Sequence, residues 1–105
     1  MRFLVVTKPK HPAPPEMVLG LADAMTPWIN KYTGNKKIEQ AWGFAGIAGG
    51  FGIANVNSFE ELDAIMMEFP FGPLSEIEIY PLVDVLGSVQ RMKQAIQAMM
   101  PPARG

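Results

Sequence analysis

Residues 2–7 show no polar alternation: Phe3, Leu4, Val5 and Val6 are apolar on both parities. A short, valine-rich run of this kind reads as a β-strand buried on both faces, because a water-facing side would make every second residue polar. The demand is severe in a chain of 105 residues, which has room for one domain and not for two independent cores. The chain's own helices can cover one face of such a sheet, and the other face needs cover as well. Composition points the same way. Apolar residues make up 49% and charged residues only 18%, against roughly 25% charged in ordinary soluble domains. That balance excludes disorder as the overall state and implies more buried surface than a monomer provides.

The remaining elements follow in order. Prolines at 9, 12, 14 and 15 exclude helix and central strand over residues 8–15, since each lacks a donor and fixes φ; this is an ordered loop. Residues 16–32 read as a helix, with Met17, Leu21, Met25, Trp28 and Tyr32 on one face. Pro27 predicts a kink or break in it, and Gly34 with Asn35 its end. Residues 36–45 and 51–57 read as two strands joined by a glycine-rich turn at 46–50, a hairpin. These glycines form no phosphate loop, because the order is strand–turn–strand and there is no Gly-Lys-Ser/Thr. Ser58 and Glu61 form a capping box, followed by Phe59, Leu62, Ile65, Met66 and Phe69 at helical spacing until Pro70. Ile77, Ile79, Leu82, Val83 and Val85 predict a fourth strand, which Pro81 places at an edge, an end or a bulge. From Gly87, the residues Val89, Met92, Ile96 and Met99 predict a last amphipathic helix, stopped by Pro101-Pro102.

The order strand–helix–strand–strand–helix–strand is the ferredoxin-like βαββαβ order, an α+β fold with a four-stranded antiparallel sheet and two helices on one face. Residues 1–86 are expected to form this domain, and residues 87–105 a C-terminal helical extension of it. The economical cover for the second face is the same face of another copy, two sheets enclosing a barrel-like interior.

Charge and cysteine count narrow the function. The net charge of −1 gives no footprint for nucleic acid. With no cysteine and one histidine, His11, disulfides, zinc–thiolate sites, thiol nucleophiles and histidine-rich metal sites are excluded within one chain, and no metal or cofactor is expected. The opening apolar run is too short for a signal peptide or a membrane span, so a soluble, cytoplasmic protein without a membrane partner is expected. The acids Glu60, Glu61, Asp63 and Glu68 read as helix charges rather than a metal site.

Ser58, Glu61, Leu62, Ile65, Phe69-Pro70-Phe71, Pro73, Glu78 and Pro81-Leu82 carry a resemblance. A helix opened by SxxEL, an apolar-Pro-apolar-x-Pro connection and a last strand ending in Pro-Leu resemble muconolactone delta-isomerase and its relatives. Phe3-Leu4-Val5 is similar too, and the likeness spans roughly residues 1–85. It implies a dimeric α/β barrel of ferredoxin-like subunits, often in larger assemblies. It also implies a cofactor-free isomerase that moves a proton on a small lactone or related carboxylate compound. The sequence departs from the family in its glycine-rich turn at 46–50 and in the helix after Gly87.

A double-bond shift beside a carbonyl needs a base, a group that returns the proton, and a donor or cation for the enolate oxygen. Glu39 and Glu78 are the carboxylates within strands of an apolar sheet. Enclosed in the interior, either would be a usable base; at an edge it is simply solvated. Tyr80 could donate to the oxyanion from the last strand. Lys36 and Lys37 could hold a carboxylate or enolate, or sit in a solvated turn, and Arg2 is a comparable cation. Trp42 and Phe51 could line a cleft together with Trp28 and Phe44, although aromatic residues at these spacings also build cores. His11 could serve as a base at a pocket mouth; an exposed loop histidine is the plainer reading. The catalytic candidates are therefore Glu39, Glu78 and Tyr80, and the substrate-binding candidates Lys36, Lys37, Trp42 and Phe51.

Two other readings stay open: a non-catalytic small-ligand or accessory subunit, and another dimeric-barrel enzyme such as a cofactor-free oxygenase or cyclase. A carboxylate beside a cation or tyrosine in the interior favours the isomerase, a wholly apolar lining the binding protein, and a roomy aromatic cavity with a lone polar group the third.

Overall fold

The computed structural model describes residues 1–102. The last three residues of the expected C-terminal extension lie outside the described residues. Among the described residues, four strands form one antiparallel sheet: β1 (Arg2–Pro9), β2 (Ile38–Gly43), β3 (Gly50–Asn55) and β4 (Ser75–Leu82), in the order β2-β3-β1-β4. Helices α1 (Pro15–Gly34) and α2 (Phe59–Met67) connect them in the ferredoxin-like order, a short 3₁₀ turn at Gly72–Leu74 leads into β4, and α3 (Val85–Met99) follows. The fold is α+β, as the element order predicts. No helix among the described residues is long and apolar enough to cross a membrane.

The register of β1 resolves which parity faces which way. Phe3 and Val5 are buried against the helices with Ile38, Ala54, Val56, Tyr32, Leu62 and Ile65. Leu4 and Val6 pair with Ile53 and Phe51 of β3, and Trp42 of β2 pairs with Phe51. These five side chains share the opposite face of the sheet, which neither α1 nor α2 covers. This is the apolar second face that the missing alternation requires.

Local chemistry explains the element ends. Ser58 Oγ accepts the Glu61 N–H at 3.1 Å, and Glu61 Oε2 accepts the Asn57 N–H at 3.2 Å, so the capping box is formed. Pro15 takes the first turn of α1, where its missing donor costs nothing. Of the expected kink or break, the break does not occur: α1 continues through Pro27. The proline removes one hydrogen bond, while Trp28 and Tyr32 on the following turn are anchored to α2. Trp28 Nε1 donates to the Ile65 carbonyl at 3.2 Å, Trp28 stacks on Phe69 at 5.1 Å, and the Tyr32 hydroxyl donates to Glu68.

The fourth strand is shorter than expected. It ends at Leu82, Val83 falls outside it, and Val85 is helical. Asp84 is the reason: its Oδ2 accepts the Gly87 N–H at 2.8 Å, capping α3 two residues before its expected start. β2 is likewise narrower than residues 36–45, because Lys36 turns through a positive φ of 63° and Lys37 still belongs to that turn. Pro81 lies in β4, an edge strand, as expected. In the hairpin, glycine is required at Gly49. Its φ is 105°, and a Cβ there would meet the Thr7 carbonyl oxygen at 2.4 Å.

Candidate functional site

A cavity of about 760 Å³ lies between the helix-facing side of the sheet and α1. Its origin is in the side-chain sizes of β2 and β3. Ala41 pairs with Gly52 and Gly43 with Gly50, and Ala54 continues the row. With no larger side chain on this part of the floor, nothing from the sheet fills the space beneath α1. Met25, Trp28 and Ile29 of α1 form one wall, Met66, Phe69 and Phe71 another. The proline-rich loop forms the mouth. Its path is fixed because the backbone N–H groups of Lys10 and His11 both donate to the Leu74 carbonyl, at 2.8 and 3.1 Å. That anchoring puts His11 on the rim, exposed to solvent. Thr7 and Ser75, both half-buried, are the hydroxyls of the lining, and Thr7 Oγ1 lies 3.4 Å from the Gly50 carbonyl. The rest is almost wholly apolar.

The sequence-derived candidates divide between two surfaces. Trp42 and Phe51 belong to the strands that floor the cavity and border it there, while their side chains, with rings 5.2 Å apart, stand on the open face of the sheet. Glu39, Glu78 and Tyr80 do not line it. Arg2 Nε donates to Glu39 Oε1 at 2.8 Å, and the Tyr80 hydroxyl donates to Glu78 Oε2 at 2.6 Å. That bond to Glu78 holds the Tyr80 phenol above its ordinary pKa. Both pairs belong to the open face, but β2 and β4 are its two edges, roughly 14 Å apart at the usual strand spacing. One copy therefore does not bring Glu39 and Glu78 together. Lys37 Nζ is paired with Glu61 Oε1 at 2.6 Å, a contact that holds the Glu61 carboxyl below its usual range. Lys36 is exposed in the turn before β2. Among the described residues, no group of three or more His, Asp or Glu comes together in a way that could hold a metal ion.

No protein-family model matches this sequence, and no curated protein matches it. Solved structures do. A muconolactone isomerase crystal structure superposes with a TM-score of 0.73 at 23% identity, over 80% of this chain and 90% of that one. The fold is that of muconolactone isomerase. A 5-chloro-2-hydroxyhydroquinone dehydrochlorinase from Burkholderia phenoliruptrix AC1100, in complex with 2,5-dihydroxybenzoquinone, shares it with a TM-score of 0.64 and 17% identity, over 83% of this chain and 98% of that one.

On this muconolactone isomerase-like frame, the sequence offered His11 at a pocket mouth and Trp28 in a cleft only as the less plain readings, and it did not place Phe69, Phe71 or the glycine floor at a site. The floor did leave a signal. Gly50 and Gly52, and Ala41 and Gly43, are each two apart in strands. That spacing puts small residues on one face, where a ligand or another backbone can come close.

Proposed function

We propose that the protein binds a small cyclic carbonyl compound in the cavity and moves a proton on it, with His11 as the acid–base group, in an assembly of at least two copies. The observation that carries this reading is the cavity, apolar but for two hydroxyls, with an imidazole at its mouth. Clefts of roughly 300–1,000 Å³ with a few convergent polar groups are the usual form of small-molecule sites. The two similar structures support the substrate class, since one is named for a lactone and the other holds a quinone. In the reaction, the imidazole takes the proton from the carbon next to the ring carbonyl. The electron pair moves into the carbonyl as an enolate, and the imidazolium returns the proton to the far carbon of the conjugated system, which shifts the double bond. Imidazole suits both steps near neutral pH. The hydroxyls of Thr7 and Ser75 are the lining donors available to the enolate oxygen.

A second reading keeps the chemistry on Glu39 and Glu78, with Tyr80 as donor. It is favoured by the two carboxylate pairs on the open face, Arg2–Glu39 and Tyr80–Glu78, which a second copy would enclose; Lys36 would then be the cation beside the substrate, since Lys37 is held by Glu61 of α2. Single variants separate the two readings in an absorbance assay on a muconolactone-like enol-lactone. His11→Gln should lower kcat about 100-fold or more, the usual size for removal of a general base, with Glu39→Gln and Glu78→Gln near wild type. The reverse pattern would move the reaction to the open face. A wild type that binds lactones without turning them over would leave a binding protein.

A further inference from the structure

We infer that the occupant of the cavity is a flat molecule of two or three fused rings with its polar groups at one end, rather than a single-ring lactone. This rests on the reading that the cavity is the substrate site.

The first argument is the shape of the floor. The pairs Ala41–Gly52 and Gly43–Gly50 continue across β1 as Val5 and Thr7. On β2 and β3 this floor is therefore peptide planes and single methyl groups, two rungs deep. At ordinary strand dimensions the two rungs of β2 and β3 span about 7 Å by about 5 Å, with Val5 and Thr7 of β1 as a raised border. Such a surface accepts the π-face of a fused ring pair and offers no knob between these two strands around which a puckered molecule could fit. Filling it from within the protein is disfavoured at one of these points: a Cβ on Gly50 would stand 2.4 Å from the Trp42 carbonyl oxygen.

The second argument is the opposing wall. Trp28 and Phe69 lie 5.1 Å apart and tilted by 49°, Phe69 and Phe71 6.5 Å apart and tilted by 56°, an aromatic wall that offers both faces and edges to the same cavity. Rings stack offset or edge-on against other rings, and Met25 and Met66 beside them adapt to a ring edge. The third is volume. A single five- or six-membered ring would leave much of about 760 Å³ without contacts, and gaps at an apolar wall forfeit dispersion.

The fourth argument is polarity. The polar side chains of the lining are Thr7, His11 and Ser75. Ser75 pairs with Pro9 at the end of β1, so all three gather where β1 runs into the loop. A ligand that matches this lining carries a hydroxyl or carbonyl group at that end and hydrocarbon elsewhere.

Calorimetry on the full chain tests the inference with four probes: 2,5-dihydroxybenzoquinone, 2-hydroxy-1,4-naphthoquinone, 1-hydroxyanthraquinone and the saturated bicyclic ketone decalone, and with the variant Ala41→Leu, which raises the floor. The fused quinones should bind at least tenfold more tightly than the single ring and than decalone. Ala41→Leu should weaken the fused quinones at least tenfold and change the single ring little. Decalone as tight as naphthoquinone, or the single ring as tight as either fused quinone, would overturn the flat-ring class while leaving the cavity as the site. Binding of no probe, or binding of every probe unaffected by Ala41→Leu, would overturn the cavity reading itself. Gly52→Ala provides a second, smaller step on the same floor, its Cβ 3.1 Å from the Gln40 carbonyl oxygen and 3.8 Å from the Cβ of Ala41, should Ala41→Leu fold poorly.

Discussion

Glu68 holds α1 to the end of α2 through two groups. Its carboxylate accepts the Tyr32 hydroxyl and the Lys31 ammonium at 3.1 Å, just beyond the turn whose Ile65 carbonyl accepts Trp28. The Tyr32 bond first and Lys31 second hold Glu68 below the ordinary carboxylate range, and the same bond raises the Tyr32 phenol. A folded-state pKa below the unfolded one means that the stabilisation is present above the ordinary carboxylate range and is lost as pH falls through the lowered value. Glu61, lowered by Lys37, adds to the same acid limb. The wild-type Tm should therefore fall as pH is taken from neutral to about 3. Glu68→Gln should melt lower than wild type at neutral pH and lose less on acidification. Parallel Tm curves for the two proteins would show that Glu68 contributes nothing through its charge. Because this clamp backs the wall that carries Trp28, it also fixes the width of the cavity.

At the scale of elements, the features readable from the sequence are those decided by neighbours along the chain. The box at Ser58 is one of them, and Ser58→Ala should destabilise by about 1 kcal/mol in denaturant unfolding; a change of a few tenths would mean that water replaces the cap. The strand of residues 2–7 was equally legible, because its apolar side chains stand on both faces and leave a mark on every residue. What the sequence hid depended on distant partners. Pro27 reads as a break, and α1 carries it because Trp28 and Tyr32 are held from α2, a tertiary grip that overrides local preference. Val85 reads as strand by its branching, and the cap at Asp84 makes it helix. The cavity was the least legible feature. Gly50, Gly52 and Gly43 look like hairpin punctuation until the register sets them side by side under α1, and His11 looks like a loop residue until the backbone bonds to Leu74 bring it to the rim. Glu39 and Glu78 stood out as charges in apolar strands, and that alone could not tell which face of the sheet they would share.

The whole molecule is longer than its core needs. Its radius of gyration is 19.1 Å and its extents are 73 × 29 × 24 Å, where a compact chain of this length measures roughly 13 Å in radius of gyration. The arm is α3, 15 residues and so roughly 22 Å long. None of its residues is buried, and its apolar stripe stands in water, with Val89 40%, Ile96 52% and Met99 85% exposed. A helix of this length is marginal without tertiary support. Leu4, Val6, Phe51, Ile53 and Trp42 leave the open face of the sheet equally uncovered, and the proposed second copy would cover both. Val6→Lys puts a charge in the middle of that face and should convert the assembly to monomer in sedimentation velocity at micromolar concentration, with the monomer still folded. Removal of residues 85–105 leaves the sheet face intact and exposes whatever surface the stripe covers. The truncated chain should sediment as a smaller assembly and melt roughly 5 °C or more below the full chain, a shift that corresponds to about 1 kcal/mol in a domain of this size. If mass and Tm are both unchanged, α3 projects freely and stabilises nothing. If only the Tm falls, α3 folds back on its own subunit, and the open face alone holds the copies together.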